Sequence, residues 1–125
     1  MSDVIIDGKN LSSVSAPLSG AKFLFTVAYA YHAGKLNPKT GFIELNATLD
    51  NHNELLSQID SLEIFLNDSL SGVGEALAMQ DELSHEGVKK LGFLISGLSD
   101  IQVLVSDARN IIDESLKTIP DEVLS

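Results

Sequence analysis

SHEGVKKLGFLISGLSDIQVLVSDARNIIDESLKTI, residues 84–119, is the longest run in the chain with one clear period. Leu91, Leu94, Leu98, Ile101, Val105, Ala108, Ile112, Leu116 and Ile119 recur at steps of three and four, which puts them on a single stripe of a helix. The run carries its own punctuation. Ser84 stands at the N-cap position with Glu86 in the first turn, and Pro120 cannot continue a helix and disfavours helical geometry just before it.

A second long helix is predicted upstream, over residues 48–80. Its stripe is Leu55, Ile59, Leu62, Leu66, Leu70, Val73 and Leu77, with Glu54, Asp60, Asp68 and Glu75 toward the opposite side. Asn51 with Glu54 three residues on has the shape of a capping box, and Thr48 or Asp50 are alternative starts. Gly72 and Gly74 weaken its last turns by about 1 kcal/mol each relative to alanine. So few residues separate the two helices that they should fold back as an antiparallel hairpin. Folding about position 82 places Gly72 near Gly92, Leu66 near Leu98, and His52 toward Asp113 and Glu114.

The segment AKFLFTVAYAYHA, residues 21–33, fits two periods. As a strand it puts Phe23, Phe25, Val27, Tyr29 and Tyr31 on one face; as a helix it groups Phe23, Leu24, Val27 and Tyr31. The alanines, and Gly34 where a C-terminal cap would sit, favour a short helix over residues 20–33. Asn37-Pro38-Lys39-Thr40-Gly41 is an evident turn, followed by an extended apolar piece over residues 42–45. Residues 1–19 combine Val4-Ile5-Ile6, the turn pair Asp7-Gly8 and a serine-rich stretch, and read as a flexible arm with room for one short strand. The expected fold is one mainly α domain over residues 1–125, a helical bundle built on the long hairpin.

That hairpin carries more apolar surface than its two stripes hide against each other. Ile64 and Val103 each fall on the polar side of their helix, and Phe93, Leu104 and Ile111 widen the apolar arc of the last one. The short helix is expected to cover one such face, and a second copy of the chain, most simply as a two-fold dimer, another. At an offset of 39 residues the two long helices also align, Leu62 with Ile101, Ile64 with Val103 and Asp68 with Asp107. A shared amphipathic period accounts for the match better than duplication does.

Composition narrows the chemistry. The chain has 125 residues, a net charge of −10 and no cysteine, so disulfides, thiolate metal sites and cysteine nucleophiles are excluded. Between Lys39 and Lys89 there is neither lysine nor arginine, while ten carboxylates from Glu44 to Glu86 fall there. Phosphate-backbone binding needs clustered cations, so direct nucleic-acid or anionic-membrane binding is disfavoured and a basic protein partner is electrostatically favoured. The apolar run around residues 23–31 is too short to cross a bilayer, and MSDVIID carries acid where a signal peptide carries base, so the expected location is cytoplasmic. The composition is that of many small bacterial and phage chains.

No catalytic, cofactor-binding or metal-ligating residue is assigned. Glu82 and His85 have the Glu-x-x-His spacing of carboxylate metal sites, but in one copy that straddles the Ser84 N-cap. His32 and His52 read as exposed or partly buried side chains, and Asp81-Glu82, Asp113-Glu114 and Asp121-Glu122 are adjacent pairs that point about 100° apart on a helix. Two expectations of different kind follow. One is a non-enzymatic interaction module, an acidic adaptor, chaperone, immunity or regulatory protein that self-associates through Ile64, Phe93, Val103, Leu104 and Ile111. The other is an acidic mimic of nucleic acid that blocks a basic protein through Asp60, Glu63, Asp68 and Glu75.

Overall fold

The computed structural model describes residues 4–11, 20–80, 82 and 84–119. In chain order it contains β1 (Ile5–Ile6), β2 (Lys9–Asn10), a 3-10 turn (Gly20–Phe23), α1 (Leu24–Ala33), β3 (Lys35–Leu36), β4 (Ile43–Glu44), α2 (Leu49–Ala78) and α3 (His85–Leu116). Helix dominates, and α2 and α3 pack against each other as an antiparallel pair. The segment with two possible periods is helical from Leu24, entered through the 3-10 turn.

The long helices are capped by their own sequence. Thr48 Oγ1 accepts the Asn51 N–H at 3.2 Å, and Ser84 Oγ accepts the Gly87 N–H at 3.0 Å, each satisfying a donor the helix itself leaves open. Of the possible starts for α2, then, Thr48 is the cap. Asn51 takes another role: its Oδ1 accepts the Ile5 N–H and pins the N-terminal segment to α2. Pro120 and the residues after it lie outside the described residues, and α3 itself ends at Leu116.

Two short hairpins complete the base. Asp7 and Gly8, at φ 52° and 75°, form the two-residue loop between β1 and β2, the left-handed pair that matches strand twist. This first part of the arm is anchored, because Val4, Ile6 and Leu11 are buried in the core. Alternation does the sorting: Ile5 is exposed while Val4 and Ile6 point inward. The turn at Asn37–Gly41 joins β3 to β4, where Lys35 faces Glu44 and Leu36 faces Ile43.

The core lies at one end of the hairpin. Leu55, Ile59, Leu62 and Leu66 of α2 meet Val105, Ala108 and Ile112 of α3, with Val27 and Ala30 of α1 and Leu45 closing the far side. Gly34 does not adopt the left-handed cap geometry; its φ is −63° and ψ 132°. Its small size is what matters, since a Cβ there would lie 2.8 Å from Ile111 Cγ2 and 3.0 Å from Ile43 Cγ2.

The hairpin register differs from a fold about position 82. Gln102 Nε2 donates to Asn67 Oδ1 at 2.9 Å, Arg109 reaches Asp60 and Glu63, and His52 meets Ser115, each pairing displaced toward the C-terminal side of α3. Leu91 therefore sits beside Leu77 and Gln80, and the first turn and a half of α3 overhangs the end of α2. Gly72 and Gly92 have no neighbour within 4 Å of an added Cβ, so they do not mark a close contact. Contacts in the core at the base set the register, and the short link accommodates it.

Gln58 is a cost built into this core. It is 2% exposed, and neither amide atom has a hydrogen-bond partner. Burying such a group unpaired costs roughly 1–3 kcal/mol. Gln58→Leu, similar in volume, is expected to raise the urea midpoint by the equivalent of about 1–2 kcal/mol with an unchanged slope.

Candidate interaction surface

Burial divides the hairpin sharply. Among the described residues from 67 to 104, none is buried, whereas the core residues Leu66 and Val105 stand immediately on either side of that interval. The base thus holds up a two-helix stalk, with about 18 Å of α2 and about 30 Å of α3 at 1.5 Å per residue. On one flank the stalk continues the face that α1 and the 3-10 turn cover lower down. Leu98, Ile101 and Leu104 pack against the core, and Phe93 and Leu94, at steps of seven and eleven from them, extend the same face beyond any cover.

The uncovered part is apolar. Phe93 is 69% exposed and Leu94 47%, with Val88 and Ile95 also exposed on α3 and Met79 just past α2. A groove of about 300 Å³ lies between the helices, lined by Val73, Ala76, Leu77, Gln80 and Leu91. No charged residue occurs from Leu91 to Ser99. Gly74 and Gly97, like Gly72 and Gly92, have open space where a Cβ would stand, so no contact among the described residues requires them.

The other residues singled out from the sequence separate. Ile64 and Val103 are 61% and 60% exposed. Leu104 is half-buried against the core, and Ile111 packs on Gly34, so both are engaged within the chain. Asp68 and Glu75 are exposed. Asp60 and Glu63 share Arg109: its Nη2 bonds both carboxylates, and its Nε donates to Glu63 Oε1 at 3.0 Å. The face counted as purely acidic therefore carries a cation from the next helix, a contact visible only once the hairpin register is known. The hydrogen bonds Arg109 donates to Asp60 and then to Glu63 hold its pKa above the ordinary value. A raised pKa gives stability below the unfolded value and loses it only above the folded one, far to the alkaline side.

His52 is fully buried, against the expectation of an exposed or partly buried side chain, and its partner is Ser115 and not Asp113 or Glu114. Its Nδ1 lies 2.8 Å from the Thr48 carbonyl oxygen and must donate to it, so Nε2 accepts from Ser115 Oγ, also at 2.8 Å. Ser115 Oγ in turn accepts the Leu45 N–H at 2.8 Å, while Glu114 accepts the Ile43 N–H at 2.9 Å. A serine hydroxyl on an imidazole resembles a nucleophile and its base, yet both are sealed in the core and the imidazole is oriented by a backbone carbonyl. The unit ties α2, α3 and the chain after β4 together. Glu82 and His85 are exposed, and no three histidine or carboxylate side chains converge on a metal site among the described residues.

A cleft of about 460 Å³ at the base, lined by residues such as Lys35, Asn37, Glu44 and Thr118, is shallow, and Asn37 Nδ2 spends a hydrogen bond on Glu44 at 3.2 Å. By length and composition α3 is apolar enough to cross a membrane, with a mean hydropathy of 1.3 over its best 18-residue window. In the sequence this is masked by the polar residues that interrupt α3 at every turn, so that no unbroken apolar run marks it. No family model, curated protein or solved structure matches the chain.

Proposed function

We propose that this protein is a non-enzymatic interaction module in which a packed base presents a helical stalk to another protein surface. The observation that carries the reading is the uncovered apolar flank around Phe93 and Leu94, continuous with a face the chain itself buries under α1 lower down. Large exposed apolar surface of this kind is expensive for an isolated soluble chain and marks a contact surface. Adaptor, chaperone, immunity or regulatory roles all use such a surface. Cytoplasmic residence belongs to the same proposal: Asp100 and Asp107 interrupt the apolar part of α3, and α2 runs alongside it, which makes spanning a bilayer costly.

Blocking a basic protein has less support, because Arg109 already occupies Asp60 and Glu63. Salt separates the two readings. Contact through the stalk should persist as ionic strength rises, and an acidic contact should weaken steeply.

The direct test is a photoreactive benzophenone side chain in place of Phe93, with the same group in place of exposed Asn53 as control, irradiated in the host cell. A discrete adduct at position 93 and none at position 53 is the expected result. Free chain alone at position 93 rejects the reading.

A further inference from the structure

Resting on that interaction reading, we infer that the partner of the stalk is a second copy of this chain, with the two α3 helices packed antiparallel along the Phe93–Gly97 face about a two-fold axis level with position 95. Lys90, Phe93, Gly97 and Asp100 are spaced by three, four and three residues, so they share one stripe of α3 with the seam spacing of paired helices. The stripe is complementary to itself when reversed. Centred on residue 95, it sets Lys90 opposite Asp100 of the second copy and Phe93 opposite Gly97, and the two-fold repeats both pairings.

Each residue of the stripe is unspent in the single chain. Phe93 is 69% exposed, and beyond its own helical turn Gly97 has no described atom within 4 Å of where a Cβ would be. Gly97 costs an exposed helix about 1 kcal/mol relative to alanine, with no return inside the chain. A large ring entering the space left by a glycine is how close helix packing is achieved. Lys90 and Asp100 are exposed, and among the described residues only Arg109 makes ion pairs. A uniformly basic partner would leave Lys90 facing like charge, whereas the reversed copy offers it a carboxylate.

Sedimentation equilibrium of the full chain up to about 100 μM, far above a micromolar Kd, is the experiment. A dimer is expected, weakened at least ~100-fold by Phe93→Ser and by Gly97→Phe and unchanged by Ile64→Ser or Val103→Ser. Lys90→Asp should weaken it about 10-fold, and adding Asp100→Lys should restore it. Circular dichroism melts of each variant identify any that lose the fold. A dimer indifferent to Phe93, Gly97 and the charge reversal overturns the interface. A strict monomer whose position-93 adduct contains a different protein overturns the second copy and leaves the interaction reading standing; a monomer with no adduct removes both.

Discussion

Gly20→Ala is expected to lower the folding stability by about 3 kcal/mol, enough to shift a thermal midpoint by roughly 10 °C or more in a domain of this size. A Cβ at this position would lie 2.2 Å from the Ser61 carbonyl oxygen and 2.7 Å from its carbon. Both are backbone atoms inside α2, so no rotamer change relieves the overlap, and the 3-10 turn must lift off the helix. That turn leads into α1, which closes the core over α2 and α3. Gly74→Ala provides the contrast: nothing lies within 4 Å, and the variant should gain up to about 1 kcal/mol from helix propensity. Differential scanning calorimetry of the two variants side by side measures both signs. Equal effects would mean that the turn does not approach α2 as closely as described.

The buried relay through His52 gives the second large effect. His52→Ala removes a fully buried ring and leaves the Ser115 hydroxyl without its acceptor, at a cost of about 3 kcal/mol. Ser115→Ala leaves the Leu45 N–H and one imidazole nitrogen unpaired, at about 2 kcal/mol. Because the two residues share one hydrogen bond, the double variant should fall short of the sum by about 1 kcal/mol. Urea unfolding of the four-member cycle checks this. Simple additivity would mean that the imidazole and the hydroxyl act independently. Hydrogen exchange adds a local readout, since the Leu45 amide should lose protection in Ser115→Ala well before the centre of α2 does.

One residue of the candidate surface is legible in the sequence: Phe93 widens the apolar arc of a helix already carrying a complete stripe, and it stands exposed on the stalk. Leu104 and Ile111 share that arc but sit at the level of the base, where α1 and Gly34 meet them, so the same periodicity yields contacts inside the chain. Ile64 and Val103 stand on the polar side of their helices, and both are exposed. The role of Arg109 is not legible in the sequence, because a lone arginine gives no signal until the register places it between two carboxylates.

The sequence by itself determined the two long helices, the cap at Ser84 and the antiparallel return of the pair, while the choice between helix and strand for residues 21–33, and of Thr48 as the cap of α2, fell to the tertiary structure. The long helices, the Ser84 cap and the return depend on period, on side-chain donors and acceptors a few residues apart, and on a link too short for anything but reversal. Only the tertiary structure decided how far one long helix slides past the other, where the core stops, and hence which part of α3 stands uncovered. Sliding by one turn preserves every stripe and every cap, so local patterning cannot choose among the registers. The choice falls to contacts between residues about 35 to 63 positions apart, Asn67 with Gln102 and His52 with Ser115, together with the fit of Gly20 and Gly34 against their neighbours.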